Sequence, residues 1–122
     1  MAVYVTPQQG PITNTKIVVD TAATNAAVNH TTGNSGILYM VEIDNTGYGA
    51  IVYFKLADAT TATPGTTAPS MVLKCAASSK RSYVFPEGIA FAAGFSHWCV
   101  EGAAQTDTDP PDTPPTVRYI TS

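Results

Sequence analysis

Charge is what this chain has least of. Only 12% of its 122 residues are Asp, Glu, Lys or Arg, about half the ~25% of an ordinary soluble protein. Its surface must be finished largely in Thr, Ser, Asn, Gly and Ala, which suits close packing against other proteins. The cations Lys16, Lys55, Lys74, Lys80, Arg81 and Arg118 are scattered, and the formal net charge is -3. A chain with no basic stripe attracts a phosphate backbone weakly, so nucleic acid is not expected as a partner.

Long hydrophobic runs are missing too. No stretch approaches the ~20 apolar residues of a membrane-crossing helix, and no basic segment followed by an apolar run opens the chain. Neither a membrane partner nor a secretory leader is expected, and cytoplasmic synthesis follows. Asn29, His30 and Thr31 match a glycosylation sequon, which has little meaning without a secretory route. There are two cysteines, Cys75 and Cys99. They are read as small half-buried apolar side chains, with a bridge across neighbouring strands as the alternative, since spacing alone cannot supply disulfide geometry.

What the chain does have is a succession of short alternating runs. In residues 36–44, Ile37, Tyr39, Val41 and Ile43 fall on one face of a strand and Leu38, Met40, Glu42 and Asp44 on the other. Both faces begin apolar, as in a strand inside a sandwich. Residues 45–47 supply a turn, and residues 48–57 resume the alternation, so the two runs are expected to pair as an antiparallel hairpin. Residues 71–75 and 81–85 predict a second hairpin around 76–79. Residues 89–91, 95–101 and 116–121 are also strand-like, the last two expected as a final pair.

Between these runs, residues 58–69 form a low-complexity Thr/Ala/Pro loop expected on the surface, and 105–115 an acidic, proline-rich one. Residues 16–20 are β-branched and strand-like. Residues 21–35 read as an extended connection with room for a weak strand. Alanine content alone permits a helix over 22–28, against which Asn25, Asn29 and Thr31 compete. The fold expected is all-β: a single antiparallel β-sandwich, jelly-roll or immunoglobulin-like, with about eight strands over residues 15–122 and an extended N-terminal arm over residues 1–14.

Catalytic patterns are poor. Residues 33–36 (GNSG) resemble a fragment of a serine-protease nucleophile loop, but Ile37 stands where a further Gly belongs and His30 is the only preceding histidine. His97, Cys99 and Glu101 share a strand face at a spacing that could ligate a metal, with His30 or Cys75 to complete the set. The simpler expectation puts Trp98 and Val100 in the core, with His97 and Glu101 on a half-exposed or subunit-facing surface. Asp107, Asp109 and Asp112 could offer oxygens to calcium, yet lack the central Gly and closing Glu of an EF-hand. No catalytic residue, metal or other cofactor is expected. Tyr39, Tyr48, Tyr53, Tyr83 and Trp98 could alternatively form a sugar-stacking platform.

Several segments carry a family likeness. Val41-Glu-Ile-Asp-Asn-Thr46, Val52-Tyr-Phe-Lys-Leu56, Gly65-Thr-Thr-Ala-Pro69, Val84-Phe-Pro-Glu-Gly-Ile-Ala-Phe91 and Val117-Arg-Tyr-Ile-Thr121 together resemble small all-β virion proteins of tailed bacteriophages, especially capsid cement or decoration proteins. The likeness covers residues 36–122 and rests on strand and turn segments. It implies a non-enzymatic protein made in the host cytoplasm and placed on the virion surface. There a homotrimer would bridge major capsid proteins and stabilise the shell. A tail or fibre module binding a receptor or glycan, and a neck or head-completion protein, are the alternatives. Ala2, Val3, Tyr4, Val5 and Thr6 of the arm, with Asp107, Asp109 and Asp112, are the candidate contacts to the shell or to other subunits.

Overall fold

Two antiparallel sheets make up the protein, seen in a computed structural model that describes residues 3–7, 15–29 and 35–122. The strands are β1 (Val3–Pro7), β2 (Lys16–Asp20), β3 (Gly36–Asp44), β4 (Val52–Asp58), β5 (Met71–Cys75), β6 (Lys80–Phe91), β7 (Phe95–Val100) and β8 (Thr116–Thr121). One sheet has five strands in the order β1-β2-β8-β3-β6, the other three in the order β5-β4-β7. The all-β sandwich and its eight strands agree with the sequence. No helix forms at 22–28: Thr24 and Val28 hydrogen-bond to the outer edge of β7, as Val28 N–H donates to His97 O (2.8 Å) and Cys99 N–H to Thr24 O (2.9 Å).

The inner faces of both sheets supply the core. Val18, Leu38, Val41, Ile43, Val117 and Tyr119 of the larger sheet pack against Val52, Phe54, Leu56, Cys75, Phe95 and Cys99 of the smaller. At about 25 cal/mol per Å2 of apolar surface, each large side chain contributes roughly 1.5–3 kcal/mol of burial. The aromatics interlock: Phe91 stacks on Phe95 at 4.6 Å, and Tyr119 lies 6.0 Å from Phe54.

Pairing is where the fold departs from expectation. Residues 36–44 and 48–57 do not form a hairpin, since β3 belongs to the larger sheet and β4 to the smaller. The same holds for β5 with β6 and for β7 with β8. Turn residues reverse a chain equally well within a sheet or between sheets, and here apolar faces on both flanking strands favour crossing over the core. Asn45 ties two of these crossovers together. Its side-chain amide donates to Ala50 O (2.9 Å) and Ala76 O (3.1 Å), and its backbone N–H donates to Ser79 O (2.8 Å).

β3 carries a second correction. An irregularity between Leu38 and Met40 shifts its register against both β6 and β8. An extra residue in one strand exchanges the faces beyond it. Leu38 therefore joins Val41 and Ile43 inside, and Ile37 and Met40 point outward. Opposite this point β6 bulges through residues 85–88, where Gly88 has φ +77°. A Cβ there would stand 2.3 Å from Ile37 Cγ2, so glycine is required both by conformation and by space.

Candidate functional site

β7 is buried along its whole length, and its two faces serve different packings. Phe95, His97 and Cys99 face the space between the sheets. Trp98 and Val100 face the other way, forming a small second cluster with Ala57 and Ala62. His97 is thus neither half-exposed nor on a subunit surface, as the sequence suggested; it has no solvent exposure. The error has a plain cause: every residue of this strand is buried, so alternation cannot say which face meets water.

Inside, His97 joins the sheets through two polar partners. Its Nε2 lies 2.8 Å from Asp20 Oδ2 on β2, and its Nδ1 lies 2.9 Å from Tyr119 Oη on β8. An ionised carboxylate only accepts, so Nε2–H donates to Asp20; with the imidazole neutral, Tyr119 O–H donates to Nδ1, which satisfies all three groups. Ala22 N–H donates to the other Asp20 oxygen at 3.1 Å. This is a carboxylate–imidazole–phenol chain in which the carboxylate, imidazole and phenol are all fully buried. It ties β7 of the smaller sheet to β2 and β8 of the larger. With both ring nitrogens engaged, His97 does not join Cys99 and Glu101 as a ligand set, and no group of three potential ligands forms among the described residues. His30 and residues 33–34 of the protease-like stretch lie outside the described residues.

The outer face of the three-stranded sheet is roofed by the chain's own loops. Lys55, paired with Trp98 across β4 and β7, is fully buried there, and its Nζ donates to Ala104 O at 2.6 Å. Burial holds its pKa below the usual lysine value, partly offset by the nearby Asp107 carboxylate. The roof is fastened at several points: Asn25 Nδ2 donates to Thr108 O (2.9 Å), Gln105 Nε2 to Thr66 O (3.0 Å) and Ala62 N–H to Asn29 Oδ1 (3.0 Å). Asp58, at the end of β4, accepts backbone N–H groups of Ala93 (2.7 Å), Ala92 (3.0 Å) and Gly94 (3.3 Å), which lower its pKa.

The candidate contacts fall on different sheets. Asp107 and Asp109 belong to the roof, and Asp112 lies further along the same loop. Asp107 packs on Gly102 and accepts from Asp109 N–H at 3.0 Å, Asp109 O accepts from Glu101 N–H, and Asp112 is exposed. Val3, Tyr4, Val5 and Thr6 lie in β1, the edge strand of the larger sheet, paired with β2 of the same chain. Val3 packs against the core, whereas Tyr4 and Val5 are exposed. Ala2 lies outside the described residues. Of the aromatics proposed for sugar stacking, Trp98 is fully buried, Tyr48 and Tyr83 pack against the core, and the half-buried Tyr39 and Tyr53 lie on different sheets.

One surface was not singled out from the sequence. Directly opposite residues in a ladder share a face, and the pairings place Ile17, Ile120, Met40 and Val84 in one row across β2, β8, β3 and β6. All four stand on the outer face of the five-stranded sheet, opposite the buried Val18, Tyr119 and Val41 and the half-buried Tyr83. The next row is Tyr4, Val19, Arg118, Glu42 and Ser82. Its charges meet each other, Arg118 to Glu42 at 3.2 Å, and beyond them Lys80 meets Asp44 at 3.7 Å. The signal available in the sequence was the apolar start of both faces of β3. No family model matches this chain, and neither a curated protein nor a solved structure matches it.

Proposed function

We propose that the chain is a non-enzymatic structural protein of a tailed-bacteriophage virion, a capsid cement or decoration protein. In this reading it binds the outer shell across junctions of major capsid proteins, as a homotrimer. The motif resemblance supplies the class. The observation that supports it is the unequal finish of the sandwich: one outer face is largely covered by hydrogen-bonded loops, while the other is an uncovered apolar face, among the described residues, whose charges are internally paired. Such a body is built to be held against protein. A partner that binds only the assembled shell stabilises it by linkage, and repeated weak contacts in an oligomer add through avidity.

Shell contact is assigned to the β1 edge, Val3 to Thr6, and to the acidic loop carrying Asp107, Asp109 and Asp112. The test is quantitative mass spectrometry of purified virions that carry the gene, followed by labelling of the protein on the particle. Hundreds of copies per head support the reading. A copy number matching a single ring, localisation at the tail tip, or absence from the particle would each overturn it.

A further inference from the structure

We infer that the outer face of the five-stranded sheet is the surface through which copies of this chain associate with one another. The inference deepens the reading above by naming the face at which subunits meet, and it is tested in solution without shells, so its failure is separable from failure to bind a capsid.

The face combines three properties. It is apolar: Val84 is 66% exposed, Tyr4 60% and Ile37 36%, and between them lie the half-buried Ile17, Val19, Tyr39, Met40 and Ile120. A contiguous patch of this kind on a soluble domain marks an interface. Among the described residues, nothing of the chain covers it, in contrast to the roofed sheet opposite.

It is also electrically neutral. Arg118 with Glu42 and Lys80 with Asp44 cancel on the face itself, which leaves the whole net charge of -3 elsewhere on the chain. Two copies meeting through this face therefore bring no excess of like charge together. The pairs are moreover self-complementary, because an Arg118 can exchange its own Glu42 for that of a second copy. A second copy of this chain is therefore the occupant.

The area suffices for a reversible association. Strands about 4.8 Å apart and rows about 7 Å apart, with side-chain margins, give a footprint of roughly 500 Å2 per copy and ~1,000 Å2 in all. That lies at the lower bound for a specific interface, where association is weak and concentration-dependent.

Sedimentation velocity on the full chain between about 1 and 100 µM, the range such an area samples, tests the inference. The expected result is a mass rising with concentration above the 12.8 kDa of one copy, to two or three copies. Val84→Lys, at an exposed side chain, is expected to raise the dissociation constant at least tenfold with an unchanged circular dichroism spectrum. Val72→Lys, at a side chain also exposed but on the other sheet, should leave it unchanged. Arg118→Glu should weaken association and Arg118→Glu with Glu42→Arg restore it. A wild-type chain of one-copy mass at every concentration overturns the inference. So does association lost in Val72→Lys and kept in Val84→Lys, or binding to anionic vesicles without self-association.

Discussion

His97 Nε2 and Asp20 Oδ2 meet at 2.8 Å in the space between the two sheets, both side chains out of reach of solvent. Breaking a buried pair costs more than the pair contributes, because the survivor keeps its desolvation penalty without its partner. Asp20→Ala and His97→Ala are each expected to lower unfolding free energy by about 2–4 kcal/mol. The double variant should cost clearly less than the sum, by about 1 kcal/mol or more. Urea denaturation of the four proteins measures this, and strictly additive losses would show that the two groups do not act as a unit.

Lys55 gives the pH dependence a sign. Its folded-state pKa lies below the ordinary 10.5 because burial disfavours the ammonium. The unfolded chain therefore binds the extra proton between the two values, and stability rises with pH across that window. Below the folded value the full penalty of the buried charge applies. The wild-type urea midpoint, minus that of Lys55→Met, is expected to increase as pH approaches 10.5. A constant difference would mean that Lys55 keeps its proton at no cost.

Cys75 and Cys99 lie on β5 and β7, with β4 between them. Two strand spacings, about 9.6 Å, exceed the ~7 Å limit for bridging Cα atoms. Burial raises both thiol pKa values, so neither is a ready nucleophile. A thiol-specific reagent should label neither cysteine in the native protein and both in denaturant, with the same gel mobility in the presence or absence of reductant. Rapid native labelling, or a mobility shift on reduction, contradicts this geometry.

At Gly88 both conformation and space oppose a side chain. Gly88→Ala is expected to cost about 1–3 kcal/mol, from the positive φ and the collision with Ile37. Gly49, whose added Cβ would meet nothing within 4 Å, is the control, and its Ala variant should be within about 0.5 kcal/mol of wild type. Thermal melts of the two variants decide the matter.

The strands themselves were visible in the sequence, because alternation and turn residues are local properties. Their partners were not. Residues 45–47 and 76–79 reverse the chain whether the next strand pairs alongside or crosses the core, and nothing within the turn distinguishes these outcomes. The exchange of faces at Leu38 and Met40 depends on β6 and β8, which lie far along the chain. Of the candidate contacts, β1 was legible as a strand and residues 105–115 as a loop, but the role of the loop as a roof over Lys55 follows only from the packing of β4 against β7. His97 was assigned to the wrong environment because its strand is buried on both sides.

The position of β8 bears on how the protein comes into being. Although eighth in order, it lies between β2 and β3 and hydrogen-bonds to both. Until residues 116–121 are available, those two strands have no common neighbour and Asp20 lacks the scaffold that holds Tyr119 near it. Assembly of the larger sheet must wait for residues 116–121 to leave the ribosome. Folding is then dominated by distant pairings, in the slow class of all-β domains, and a chain interrupted before Thr116 exposes two unpaired strand edges to aggregation.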